Sequence, residues 1–331
     1  MAELYPFLLS PYFSPRPWGG VDLSPIYPDR RFEEKIGESW LTGDDCCIAN
    51  GPLAGHTLSQ VTQEYGRALV GEAAREELRF PLLLKFLFPH DKLSVQVHPD
   101  DECARRVGQP WGKTECWYVA DAKPGAQIAL GLKPGVTCAD LEDAIRRGRA
   151  EDSLNWIDVK RGEMIYVAAG TVHAIGAGSI LVETQQSSDT TYRLYDYGRP
   201  RELHLEKGLA AVKEKPNSGK VVLPHPNGTR GNAANQHAGL VRGPYFVVEK
   251  FTLREPEQFS ALEGKNSVQI LVAIEGCGVL ESPGGAPVTF ACGDAVVVPA
   301  SIGEFRVQPQ WQVEFLRASV PGNPFPDPVV Q

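Results

Sequence analysis

The sequence has no CxxC pair, no apolar run long enough to cross a bilayer and no block of basic residues. Each absence closes a class of function. The seven cysteines (Cys46, Cys47, Cys103, Cys116, Cys138, Cys277 and Cys292) are odd in number and cannot all be bridged, so reduced thiols in a cytoplasm are expected. Adjacent Cys46 and Cys47 read as small buried residues rather than a metal pair. No window reaches the ~18 apolar residues of a membrane span. The N-terminal MAELYPFLLSPYF carries Glu3 where a signal peptide needs Lys or Arg, and prolines break its apolar run. A formal charge of −8 without a basic cluster argues against nucleic acid as a partner. No obligate protein partner is evident.

Turn residues are abundant instead. Glycine (33) and proline (27) make up about 18% of 331 residues, against about 12% on average. Short Val/Ile/Leu/Tyr runs alternate with Gly, Pro, Asn and Asp, as in antiparallel sandwiches and barrels. Helix formers at helical spacing predict helices over 58–77 and 138–157. The length suits two domains, expected at 1–215 and 244–325, with a polar Gly/Asn/Pro-rich connection at 216–243.

A faint internal repeat links the two halves. Residues 162–173 (GEMIYVAAGTVH) and 293–304 (GDAVVVPASIGE) each open with Gly and an acid, run through an apolar strand and turn tightly. The first copy ends on His173 and the second on Glu304. One copy holds a histidine that the other lacks, which suggests an active β unit and a degenerate partner.

The segment LSVQVHPDD (93–101) alternates Leu93, Val95 and Val97 with Ser94, Gln96 and His98 before Pro99 ends it. One face of that strand therefore carries a hydroxyl, an amide and an imidazole. The pattern G-x5-P-x-G-x2-H, with Ala168 in place of its proline, Gly170, and His173 at its end, resembles the second motif of the cupin superfamily. LSVQVHPDD, GKTECWYV (112–119), AAGTVHAIG (168–176) and VETQQSSDTTYRLYDYGRPRELHLEK (182–207), together with RPWGG (16–20) and GESW (37–40), resemble the signatures of type I mannose-6-phosphate isomerase (phosphomannose isomerase) in its short bacterial form. The resemblance runs from about residue 10 to 210.

That resemblance implies a mainly β fold of two cupin-like β-sandwich or jelly-roll barrels, with a few helices inserted in the N-terminal half. The first domain would bind metal and catalyse; the second would be a degenerate cupin-like unit without zinc. It implies one Zn2+ per chain on the positions of Gln96, His98, Glu115 and His173, with Gln96 ligating directly or through water. Two imidazoles, a carboxylate and an amide leave a net positive, Lewis-acidic site. It implies Arg193 as an active-site residue, Ser94, Lys113 and Arg199 at the substrate phosphate, and Glu183 and Asp189 as proton-transfer or supporting residues. Arginine suits oxyanions because its planar fork stays charged. Glu183 or a metal-bound water would carry the proton. The implied reaction interconverts D-mannose 6-phosphate and D-fructose 6-phosphate. His56, His90, His204, His225 and His237 lack such context and read as structural or solvent-exposed. Two rival readings are another metal-dependent cupin enzyme, such as an Fe(II) dioxygenase, and a non-catalytic sugar-phosphate sensor.

Overall fold

The structure, a computed structural model, describes residues 3–74, 79–222, 234–260 and 267–331. Among the described residues the fold is mainly β, with three sheets and few helices. A seven-stranded sheet runs in the order Gly219–Lys220, Met164–Val167, Glu115–Ala122, Ser179–Gln186, Leu82–Leu87, Ile36–Trp40 and Tyr12–Gly20. A five-stranded sheet runs Tyr192–Tyr195, Val95–Val97, His173–Ile175, Gln127–Leu132 and Leu154–Asp158. The third sheet has eight strands, mostly from the C-terminal part of the chain. Its edge is Phe7–Leu9, paired antiparallel with Ala295–Val298 (Phe7 opposite Val297).

The period-2 alternation of side chains explains how these layers stack. Along Glu115–Ala122, Trp117 and Val119 pack with Ile128, Leu130 and Ile175 of the five-stranded sheet. Cys116, Tyr118 and Ala120 face the other way and join Val248, Ile270, Val272 and Leu316 of the eight-stranded sheet. Both faces are buried, so the strand reads as a nearly unbroken apolar run. The outer face of the five-stranded sheet is closed by the helices Cys138–Arg146 and Leu205–Ala211, through Leu141, Ile145 and Ala211.

The helices are shorter than the sequence predicts. Within 58–77 the chain forms Leu58–Tyr65 and Arg67–Val70, interrupted at Gly66 (φ 50); residues 75–78 lie outside the described ones. Within 138–157 only Cys138–Arg146 is α-helical. Gly148 at φ 71 ends the α-helical course, a 3-10 turn follows at Ala150–Ser153, and Leu154–Asp158 pairs as a strand against Gln127–Leu132. The alternation of Leu154, Trp156 and Asp158 with Asn155 and Ile157 is a strand period, and sheet pairing overrides the local helix propensity.

The two segments of the internal repeat share local backbone features. Gly162 and Gly293 share φ 91, each precedes a fully buried four-residue strand, and His173 and Glu304 each begin the next strand. Their environments differ: His173 is buried and Glu304 is exposed. In the eight-stranded sheet a buried ion pair stands among aromatic rings. Arg317 Nε donates to Glu249 Oε2 at 3.0 Å, and its guanidinium lies over the rings of Phe251 and Phe259.

Candidate metal centre and cavity

The strand Val95–Val97 delivers His98 to the point where the chain turns into the helix Asp101–Arg106. Asp100 caps that helix by accepting from Cys103 N at 2.9 Å, which fixes the turn. Lys113 N donates to Pro99 O at 2.9 Å, and this close approach needs Gly112: a Cβ there would lie 2.4 Å from the Asp100 carbonyl carbon. Glu115 then opens an inner strand of the seven-stranded sheet. The tight turn at Gly170 (φ 91) donates its N–H to His98 O at 2.9 Å and leads into His173. Two segments far apart in sequence are thereby brought onto one point.

His98, Glu115 and His173 are all buried, with one donor atom from each within 4.8 Å of the others. Glu115 Oε2 lies 3.6 Å from His98 Nε2, and Oε1 lies 3.5 Å from His173 Nε2. Each imidazole is oriented by its other nitrogen. His98 Nδ1 donates to Thr190 O at 3.0 Å, and His173 Nδ1 to Thr171 O at 2.9 Å. A carbonyl oxygen can only accept, so both Nε2 atoms carry lone pairs directed at Glu115. Neither Glu115 oxygen accepts an aligned hydrogen bond. A buried carboxylate without aligned donors and two converging lone pairs is a donor set that fits a divalent ion.

The electrostatics agree. Burial pushes His173 down to about 3 and His98 in the same direction, so both stay neutral and available as ligands. Burial alone would raise Glu115, but Lys113 holds it well below the usual carboxylate range. Lys113 Nζ is the cation responsible, 2.6 Å from Glu115 Oε2 and 3.2 Å from His98 Nε2. Glu183, which accepts from Trp117 Nε1 at 3.1 Å, is pushed up to about 7 by burial, against the pull of Lys113.

A cavity of ≈ 410 Å³ opens beside this cluster and is lined by Ser94, Gln96, Lys113, Glu183, Asp189 and Arg193, among others. Sheet register accounts for part of this: His173 lies opposite Gln96, and Gln96 opposite Arg193, so three side chains share one face across three strands. Gln96 presents its amide nitrogen to His173 Nε2 at 3.1 Å, while its Oε1 accepts from Ser94 Oγ at 3.1 Å. Ligation through the oxygen requires the amide to turn over. Of the expected substrate contacts, Arg199 alone lies outside the lining. It is held by Asp91 at 2.6 Å, Lys92 O at 2.8 Å and Asp196 at 3.2 Å.

Four charged lining residues had no role in the sequence reading: Arg16, Glu38, Lys85 and Arg201. Their signals were present. Arg16 opens RPWGG, Glu38 sits in GESW, and Lys85 is the single charge in the buried strand LLLKFL. Lys85 Nζ stands 3.1 Å from Asp189, 3.7 Å from Glu183 and 3.8 Å from Glu38, buried among three carboxylates. Among the other histidines, His204 is bound to the Arg193 backbone through its own N–H and Nδ1, and His237 Nε2 meets Glu249 Oε1 at 2.9 Å. His225 lies outside the described residues.

A family model described as phosphomannose isomerase type I, catalytic domain, matches residues 24–134. The mannose-6-phosphate isomerase ManA of Bacillus subtilis is 36% identical over 317 residues, 92% of this chain and 96% of that protein. A mannose-6-phosphate isomerase of Streptococcus mutans is 36% identical over 76% of this chain and 80% of its own length. The crystal structure of a mannose 6-phosphate isomerase from Bacillus subtilis superposes with a TM-score of 0.82 at 32% identity, covering 94% of this chain and 99% of that one.

Proposed function

This chain belongs to the type I phosphomannose isomerase family and is an isomerase, and we propose that it interconverts D-mannose 6-phosphate and D-fructose 6-phosphate with one zinc ion per chain. The observation that carries the metal part is the His98–Glu115–His173 cluster, with its buried carboxylate and oriented lone pairs. These three residues would hold the ion, and Gln96 would join them with its amide turned over. When bound, zinc would supply Lewis acidity toward the substrate's oxygens.

The chain's own groups account for the rest. Aldose–ketose isomerisation moves a proton between C1 and C2 and develops negative charge on oxygen. Glu183, buried at the cavity wall and held by Trp117, is placed to carry that proton. Lys113 stays charged, because Glu115 and Glu183 outweigh its burial, and Arg193 faces the same space. Both cations favour the transition state over the neutral sugar. Ser94 and Asp189 line the cavity as substrate contacts, and Lys85 keeps Asp189 and Glu183 in place. We read 1–215 as the catalytic cupin-like unit, 216–243 as its connection and 244–325 as a degenerate cupin-like unit. The seven free cysteines support a reducing cytoplasm as the setting. No helix among the described residues is long and apolar enough to cross a membrane.

The test is a coupled assay on mannose 6-phosphate with and without chelator, alongside elemental analysis. Turnover that vanishes with chelation and returns with zinc supports the reading. Undiminished turnover in metal-stripped protein refutes the metal assignment.

A further inference from the structure

The turn at 168–171, which leads into His173, is closed by a hydroxyl from the stretch that the sequence reads as a connection. Ala168 N donates to Ser218 Oγ at 2.9 Å, and Ser218 Oγ lies 2.7 Å from Thr171 Oγ1. Thr171 Oγ1 itself stands 2.6 Å from Ala168 O. A carbonyl only accepts, so the Thr171 hydroxyl donates to Ala168 and the Ser218 hydroxyl donates to Thr171. The three bonds form a closed ring in which each hydroxyl both donates and accepts. This ring reaches the metal cluster on two sides. Thr171 O is the acceptor that fixes His173 Nδ1, and Gly170 N–H holds His98 O. A shift of the Thr171 peptide would swing the Nε2 lone pair of His173 away from Glu115.

Ser218 is in turn seated by residues 327–331. Lys220 N donates to Gln331 O at 3.1 Å, Gln331 N to Lys220 O at 3.0 Å, and Val222 N to Val329 O at 3.0 Å. Val221 pairs antiparallel with Val330, alongside the edge strand Gly219–Lys220 of the seven-stranded sheet. Asn217 Nδ2 donates to Pro328 O at 3.2 Å, and the Tyr166 hydroxyl to Asp327 Oδ1 at 2.6 Å. The approach needs Gly219, where a Cβ would lie 2.5 Å from Gln331 O. These bonds flank Ser218 at residues 217 and 220, and none of them touches the metal cluster.

We propose that Ser218 is a positioning residue for His173, and that residues 327–331 keep its hydroxyl in place. Two segments far along the chain from the cluster thereby set how tightly it holds a metal. The inference rests on the metal reading above and extends it beyond the three ligands. Without the hydroxyl, Ala168 N–H loses its acceptor and Thr171 Oγ1 its donor. The turn still closes through Thr171 N–H to Ala168 O at 3.1 Å, so the fold survives while the imidazole loosens.

In a competitive chelator titration, Ser218→Ala should bind zinc about 10- to 100-fold more weakly than the parent, the range for partners that orient a ligand. Ser218→Thr keeps the hydroxyl and should recover most of that affinity. Cobalt in place of zinc adds a readout that a mere loss of stability would not move. Its visible absorption follows ligand geometry, and should change in Ser218→Ala but not in Ser218→Thr. Deleting residues 327–331 should weaken zinc binding in the same direction with Ser218 intact. Should that variant fail to fold, Gly219→Ala displaces Gln331 and carries the same comparison. A parent that holds zinc, with Ser218→Ala equally tight and unchanged in its cobalt spectrum, overturns the proposal and leaves the metal centre standing. Equal losses in Ser218→Ala and Ser218→Thr overturn it too, since the hydroxyl would not be the cause. A parent that binds neither ion refutes the metal reading itself, and the brace with it.

Discussion

Lys113 Nζ lies 2.6 Å from Glu115 Oε2, with both side chains buried, so the carboxylate proposed as a metal ligand already has a cation of the chain beside it. The same ammonium donates to His98 Nε2 at 3.2 Å. The cluster is therefore compensated without metal, and an arriving dication meets a resident positive charge.

Replacing that cation should split stability from metal affinity. Lys113→Met leaves Glu115 buried and unpaired, and breaking a buried pair costs about 3–5 kcal/mol. Urea denaturation of the chelated variant should show that loss. Added zinc should recover much of it, because the variant binds the dication without a competing ammonium. Turnover should fall by orders of magnitude. A chelated variant as stable as the parent would show that Lys113 does not compensate Glu115.

The imidazoles supply two of the three converging donors. His98→Ala or His173→Ala should reduce bound zinc well below one per chain and abolish isomerisation, since two remaining donors hold the ion poorly. Elemental analysis after gel filtration reads the first effect and the coupled assay the second. Full occupancy in both variants would place the metal elsewhere.

Acid stability should depend on Glu249 in the eight-stranded sheet. Burial opposes its ionisation, but the hydrogen bond from His237 and the charge of Arg317 bring it down to about 2. A depressed carboxylate contributes stability above its unfolded value near 4.5, and that contribution is lost as pH falls toward 2. The amount is on the order of 3 kcal/mol. Glu249→Gln should be less stable at neutral pH yet lose less between about pH 4.5 and about pH 2, as urea midpoints would show. Parallel curves for the two proteins would remove Glu249 as the source.

Backbone shape at the second ligand turn is the last test. Gly170 has φ 91, and a Cβ there would sit 2.7 Å from Lys213 Cγ and 3.1 Å from Ala211 O. Gly170→Ala should cost roughly 1–2 kcal/mol from the left-handed backbone. It should also weaken zinc binding, because Gly170 N–H holds the His98 carbonyl. A thermal melt and a competitive chelator titration measure the two losses separately.

Much of the site is legible in the sequence because its donors occupy strand ends and tight turns with fixed spacing. The alternation of 93–97 gives the shared face of Ser94 and Gln96, and Gly170 announces the turn before His173. Tertiary contacts hide the rest. Arg201 and Arg199 look equivalent in YGRPR; only the left-handed Tyr197 and the buried Asp196 decide which one turns inward. Lys85 reads as an oddity in an apolar strand until three carboxylates, from residues 38, 183 and 189, are seen around it. The strand at 154–158 was hidden for a similar reason, since its partner 127–132 lies across a helix in the sequence.

The pairing of Phe7–Leu9 with Ala295–Val298 has a consequence for how the molecule is made. A ribosome releases the first strand early and its partner almost 290 residues later. In the interval Phe7 and Leu9, both fully covered in the finished protein, have no sheet to join. Closing so long a loop is slow, so the strands that carry His98, Glu115 and His173 are complete long before the chain's two ends meet. A nascent chain stalled short of residue 295 should therefore keep its first strand open to protease and chaperone, and release from the ribosome should be the event that shields it.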